Sequence, residues 1–568
     1  MKQYERLTDE HGNPYLATDL PGLILTRLPL LNKSTAFTPE ERKALGLEGL
    51  YPPHVSTLNE QVQRAYANFQ RFTTNLDKHI YLRVLQDRNE VLFYALIQRH
   101  LEEMLPIIYT PTVAEAVQKF SLIYRWPRGV VVSTENIDRI DEVLENAPIP
   151  DVRLVVATDS EGILGIGDQG YGGMAICIGK LSIYTAAAGF DPATTLPIEL
   201  DVGTNRQDLL DDPLYLGVRH ERLTGQAYDD FMERFVQAFK RHFPEAVLQW
   251  EDFSKQKAFS VRDRYQDVVP SFNDDIQGTG AVVLAGLLAA SRKSRRPLTD
   301  EVFLVHGAGA GGIGVASQIR DGLVRQGLDA RRAAERVFVV DSRGLVLRDR
   351  PNLDTYKAEL AQAPARVAGW TVSGSAPSLL ETVQQGGVTA VIGLSGQRGA
   401  FDQAIVEAVA ANTPSPIVFP LSNPTDYSEA IPEDVYRWTD GRAIVATGSP
   451  FPEVTWKGVR YSVGQGNNAF IFPGLGLGVK VSRAQRVTPG MLSAAAEALA
   501  DYTDQGRIAQ GAVYPRVSAM RRVSRHVATA VAQEAVTAGV ARADLGDDLG
   551  QQVETAMWEP RYLPIRRR

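Results

Sequence analysis

The chain is 568 residues long, more than one hydrophobic core normally serves, so three or four domains or subdomains are expected. At 44% hydrophobic and 22% charged residues it is composed like an ordinary globular protein, with no block polar enough to stay unfolded. A net charge of −7, from 60 basic and 67 acidic residues, offers neither nucleic acid nor an anionic membrane an electrostatic hold and favours small-molecule chemistry.

The single cysteine, Cys177, has no internal disulfide partner, and the start MKQYERLTDEHGNPY is too polar for a signal peptide. The longest apolar runs fall short of the roughly 20 residues a membrane span requires. A soluble protein of the reducing cytoplasm is therefore expected. The first 125 or so residues read as helical. In DKHIYLRVLQDRNEVLFYALIQRHLEEML, Leu82, Leu85, Leu92 and Leu96 share one helix face, and Pro106 is expected to end that helix. YTPTVAEAVQKF then opens another, with Thr112 and Glu115 as a capping box, leaving Tyr109 in the loop just before it.

From about residue 150, β-rich runs alternate with helical ones: VRLVVAT, LPIEL and AVLQW, then after residue 300 VFLVH, RVFVV, TAVIGL, PIVFP and AIVAT. Such alternation marks parallel α/β sheets. A basic cluster, SRKSRRP at 291–297, reads as a solvated helix end before a new strand. Three early strands end in acid, at Asp201, at Glu251 and Asp252, and at Asp274 and Asp275. Ligands of open α/β sheets bind beyond the carboxyl ends of strands, so these acids lie where a site is expected.

G-x-G-x-x-G occurs twice. Gly307, Gly309 and Gly312 follow one strand, open a helix and lead to a strand ending at Asp341, a complete βαβ unit for a dinucleotide: glycines for close approach, a helix N-terminus for the pyrophosphate, an acid for a ribose hydroxyl. The other match, Gly165, Gly167 and Gly170, feeds a helix carrying Lys180 among Ile178, Leu181 and Ile183. A lysine there either snorkels outward or is buried, in which case desolvation suits it to act as a base. Glu251, Asp252 and Asp275, oxygen ligands without Cys or His, suit Mg²⁺ or Mn²⁺ rather than zinc. Asp274 is expected to point away from the metal in an extended segment and to orient Lys180. A dinucleotide unit, a metal set, a lysine and a loop tyrosine together fit oxidation of an alcohol followed by metal-assisted breakdown of the ketone.

PIIYTPTVAEAV, GILGIGDQGYGGM, IGKLSIYTAAAG, QWEDF, FNDDIQGTGAVVLAGLLAA, PLSNPT, ATGSPF and GQGNNAFIFPGLGLGV together resemble malic enzymes, in particular the bacterial NAD-linked form, from about residue 20 to the C-terminus. The resemblance implies a general acid at Tyr109, a general base at Lys180 with Asp274 as its partner, and metal ligands at Glu251, Asp252 and Asp275. Asn423 and Asn467 would contact malate or the nicotinamide end, with Asp275 and Asn423 also counted among the cofactor contacts. The implied reaction converts malate to pyruvate and CO2 with reduction of NAD, or of NADP as a second cofactor, and includes decarboxylation of oxaloacetate.

The implied fold is a helical N-terminal domain (1–127), an α/β substrate domain in two pieces (128–275 and 463–534), an inserted Rossmann-type doubly wound domain (276–462) and a C-terminal tail (535–568), assembled as a homotetramer or dimer. There are departures: Gly162 stands where animal relatives carry a substrate-gripping arginine, and Lys357 falls close to where NADP-linked relatives bind the 2′-phosphate. Arg64 and Arg88 fall where some relatives bind the activator fumarate, though two arginines on a surface helix are more often merely solvated. The alternatives are a malolactic enzyme, whose glycine loop typically reads GDWGVQG where this one has GDQGYGG, and a dinucleotide-binding regulator without turnover.

Overall fold

The leucine-rich stretch does form helix, but in three pieces: Asn75–Arg88, Glu90–Arg99 and Leu101–Ile108. These and all other details come from a computed structural model that describes residues 4–568 apart from 148, 150 and 164. The first break falls at Asn89, whose extended backbone ends one helix while its side chain accepts from the Leu92 N–H at 2.9 Å and caps the next. Pro106 does not end the last helix but lies within it. In so short a helix its missing N–H forfeits a single internal bond, and Tyr109 N–H still closes the end on Leu105 O at 3.0 Å. The following helix, Thr112–Gln118, starts without the expected capping box, because Thr112 sits inside the helix and Pro111 takes the cap position.

The chain divides into two units, 1–246 with 555–568, and 247–554. The first begins with a hairpin, Glu5–Thr8 and Pro14–Thr18, in a region read as helical. Ile565–Arg567 pairs in parallel with Pro14–Thr18, so the C-terminal segment closes a three-stranded sheet. That return covers a small core in which Ile565 joins Leu16, Leu25, Leu31 and Phe37. The ERLT strand is exposed along its whole length and carries no alternation to betray it. The α/β part of this unit holds the parallel strands Val130–Ser133, Thr195–Asp201 and Leu154–Thr158, with Thr195–Asp201 in the middle. Against Thr195–Asp201 packs the helix Met174–Ala188, buried along its entire length and ended by Gly189 at φ 64°.

In the second unit the parallel strands Val247–Trp250 and Ser271–Asn273 lead into a single wide π-type turn, Asp274–Gly278, and then the helix Thr279–Ser294. That helix ends at Arg295, left-handed at φ 57°, inside the basic cluster. Each β-rich run after residue 300 becomes a strand of one seven-stranded sheet. Its order is Gly344–Leu345, Val337–Asp341, Phe303–His306, Ala390–Gly393, Ile417–Pro420, Ile444–Thr447, Gly464–Gln465, parallel except for the first pair. The five main strands thus run 2-1-3-4-5, a doubly wound order that reverses between Phe303–His306 and Ala390–Gly393, where such sheets bind ligands. Among the described residues no helix is long and apolar enough to cross a membrane.

Candidate active site and cofactor-binding loop

Glu251 and Asp252 follow the strand Val247–Trp250, and Asp275 lies in the turn after Ser271–Asn273, so two neighbouring parallel strands deliver the acids at the same end. One oxygen from each lies within 4.8 Å of the others. Glu251 and Asp252 are buried, and Asp275 is half-buried. Gln249 Nε2 donates to Glu251 at 2.7 Å, and the Asp252 N–H donates to Asp275 Oδ2 at 2.8 Å. Asp252 holds φ 55°, a left-handed conformation that costs a non-glycine residue about 1 kcal/mol or more. Three carboxylates this close repel one another in the absence of a cation, and an all-oxygen anionic set fits Mg²⁺ or Mn²⁺.

Asp274 is not extended, as had been expected, but begins the π-type turn, and it stands outside the trio. It is fully buried, and its Oδ2 accepts from Asn468 Nδ2 at 2.5 Å. Asn467, the other member of the asparagine pair, accepts instead from the Ala469 N–H at 2.9 Å. Asn423 Oδ1 accepts from the Ser449 hydroxyl at 2.7 Å.

Gly307 sits at φ 112°, where a Cβ would lie 2.4 Å from Leu394 O, and a Cβ at Gly312 would lie 1.8 Å from Gly307 O. Both positions therefore require glycine. A Cβ at Gly309 would meet nothing within 4 Å, which leaves open space at the start of the helix Ala310–Arg325, whose first amides have no side-chain cap. Such a turn has the shape and the free amides that a pyrophosphate requires.

Asp341 is already engaged. Arg350 Nη1 lies 2.8 Å from both of its oxygens, and Lys357 Nζ lies 2.7 Å from Oδ2. Burial opposes its ionisation, but Lys357, the Arg343 N–H and Arg350 outweigh that and pull its pKa down to about 2.

In the first unit, Lys180 is fully buried and does not snorkel, and its Nζ lies 5.0 Å from the centre of the Tyr109 ring. A Cβ at Gly179 would lie 2.9 Å from Ile108 O, so the glycine before Lys180 lets the tyrosine loop approach the lysine helix. Upstream, Ser160 is left-handed at φ 61°; its hydroxyl donates to the buried Glu199 at 2.5 Å and accepts from the Gly173 N–H at 3.0 Å. The glycine segment between them is thereby tied down at both ends. Arg64 and Arg88, on separate helices, are exposed and form no ion pair among the described residues.

Two family models cover most of the chain: residues 86–266 match "Malic enzyme, N-terminal domain" and residues 276–536 match "Malic enzyme, NAD binding domain". The chain is 48% identical over 546 residues to the NAD-dependent malic enzyme of Edwardsiella ictaluri, covering 96% of this chain and 97% of that one. The chain belongs to the malic enzyme family. It is also 47% identical to the NAD-dependent malic enzyme of Pseudomonas aeruginosa, with the same coverage. Among solved structures the fold is similar to malic enzymes from Entamoeba histolytica (TM-score 0.57, 22% identity, 90% of each chain) and Pyrococcus horikoshii (TM-score 0.55, 25% identity, 80% of this chain and 89% of that one).

Three contacts around the candidate site escape a reading of the sequence. Asn468 adjoins Asn467, and only the turn direction decides which of the two meets Asp274. Arg350 reaches Asp341 because the chain doubles back through the short strand Gly344–Leu345. Glu429, fully buried, binds the Ser395 N–H at 2.9 Å and the Ser422 hydroxyl at 2.5 Å, joining the loops beyond two sheet strands. No local pattern marks it.

Proposed function

We propose that the protein oxidises L-malate with NAD⁺ and decarboxylates the product to pyruvate, and that it also decarboxylates oxaloacetate. The observation that carries this reading is the carboxylate trio of Glu251, Asp252 and Asp275 within 4.8 Å, in a chain of this family that also holds a buried lysine beside a tyrosine. When bound at these groups and at the glycine turn, a divalent cation supplies Lewis acidity toward the substrate oxygens and the nicotinamide supplies a hydride acceptor.

The chain's own residues handle the protons. Lys180 Nζ takes the proton of the 2-hydroxyl as the alcohol is oxidised. After CO2 leaves from the β-carboxylate, the Tyr109 hydroxyl returns a proton to the methylene carbon. Asp274, held by Asn468, serves the base as an acceptor, while Asn423 and Asn467 orient substrate and nicotinamide with amide groups. Because Asp341 is neutralised by Arg350 and Lys357, the cofactor site takes NAD and admits NADP as well.

We further propose a homo-oligomer, dimer or tetramer, to be measured by sedimentation, with Arg64 and Arg88 as an effector pair to be tested by fumarate titration. The deciding assay incubates the protein with malate, Mn²⁺ and NAD⁺ and follows reduced cofactor, pyruvate and lactate. Reduced cofactor with pyruvate is expected. Lactate without net reduction would make it a malolactic enzyme, and cofactor binding without product would make it a regulator.

A further inference from the structure

The helix that carries Lys180 also walls a cavity of about 100 Å³, several times the roughly 30 Å³ share of one water molecule in the liquid. Met174, Ala175 and Ile178 line it from that helix, and Phe120, Tyr124 and Trp126 from the segment that follows Thr112–Gln118. Trp126 is 58% exposed. Charged groups line it as well, Arg83, Asp87, Arg125 and Arg128 among them, and of these Arg83 is the least well matched.

Arg83 Nη2 donates to the Ser182 hydroxyl at 3.2 Å, but its Nε and Nη1 are shut off from solvent and have no hydrogen-bond partner. It forms no ion pair among the described residues. Its neighbour Arg128, also lining the cavity, takes up both nearby acids: Nε donates to Asp87 at 2.9 Å and Nη1 to Glu90 at 2.7 Å. The ring of Phe93, 5.3 Å from the Arg83 guanidinium carbon, offers only the weak compensation of a cation over an aromatic face.

Arg83 as a whole is half-buried, but a guanidinium with two of its three nitrogens cut off from water and the third facing a neutral hydroxyl is a costly arrangement. Burial first, and then the Arg128 charge, bring the pKa of Arg83 down to about 10. The groups around the cavity sum to one excess positive charge: Arg83, Arg125 and Arg128 against Asp87 and Glu90. His79 also lines it but adds none, since burial lowers its pKa to about 4 and its Nδ1 is committed to Ile107 O at 2.8 Å.

We propose that this cavity binds a small carboxylate with a compact apolar body, branched or aromatic, the carboxylate on Arg83 and the body against Met174, Ile178 and Phe120. Its wall is the lysine helix, so occupancy braces Ser182 and Ile178, which flank Lys180 at i+2 and i−2. Only this link to turnover rests on the function proposed above; binding itself does not.

Benzoate and 3-methylbutanoate are the probes, titrated by calorimetry into the full chain without metal or cofactor, with benzyl alcohol as the uncharged control. Saturable binding of a carboxylate probe, absent for the alcohol and unchanged by excess malate, is expected. Arg83→Met should weaken it about tenfold or more, the scale of a lost charge-assisted hydrogen bond. Ile178→Phe, which fills the cavity and spares Arg83, should weaken it as strongly and decides the matter if Arg83→Met does not fold. The proposal is overturned by the absence of saturable binding, by displacement with malate, or by binding that survives Ile178→Phe.

Discussion

Replacing Lys357 with Gln should separate the two nicotinamide cofactors. In the folded protein Asp341 sits between Arg350 and Lys357, with side-chain exposures of only 8% for Asp341 and Arg350 and 16% for Lys357. The three groups carry a net charge of +1, and Lys357→Gln brings it to zero while Arg350 still holds Asp341. A 2′-phosphate carries nearly two negative charges at neutral pH. At about 5 Å from a unit cation it gains roughly 1.5 kcal/mol in water-like surroundings and about 3 kcal/mol where the effective dielectric constant is half that.

Loss of Lys357 should therefore lower kcat/KM for NADP⁺ by roughly 10- to 150-fold. NAD⁺ lacks the phosphate and should change by less than about threefold. Initial rates of cofactor reduction at saturating malate and Mn²⁺, with each cofactor varied, measure both numbers. Equal losses for the two cofactors would show that Lys357 does not meet the 2′ position and would refute the charge argument.

Asp275→Asn should abolish calorimetric Mn²⁺ binding and turnover together, leaving NAD⁺ binding intact, because a neutral amide is a poor substitute for an anionic ligand. Asp252→Gly should likewise lose metal but raise the melting temperature of the metal-free protein, since it relieves both a left-handed backbone and a clustered charge; a lower melting temperature would contradict the strain at φ 55°. Lys180→Ala should halt malate oxidation, whereas Tyr109→Phe should still reduce oxaloacetate while failing to form pyruvate, and parallel loss of both reactions in both variants would remove the separate roles. His79 has a folded pKa of about 4, below the usual 6.5, so the unfolded chain binds a proton that the folded one refuses between those values. Its contribution of about 3 kcal/mol is present above pH 6.5 and is lost as pH falls toward 4. His79→Asn should shrink the drop in melting temperature between pH 7.5 and pH 5.

Read alone, the amino-acid sequence determined the parallel α/β architecture, because each buried strand after residue 150 is a short run of β-branched and apolar residues that nothing but a covered sheet accommodates. It also determined the glycine turn at 307–312 and the acids at the strand ends, because close backbone approach and hard oxygen ligands each demand particular residue types.

Tertiary structure decided what depends on partners distant in sequence. The strand Pro14–Thr18 is held by another more than five hundred residues away, and no local period encodes that pairing. The leucine helix breaks at Asn89 because a side-chain cap competes there with continued helix. Asp274 found Asn468, Asp341 found Arg350 and Lys357, and Arg83 was left without an acid because Arg128 had taken both neighbours. Periodicity tells a residue which face it lies on; which charge it meets there is set by how separate elements pack, and that is information only the folded chain contains.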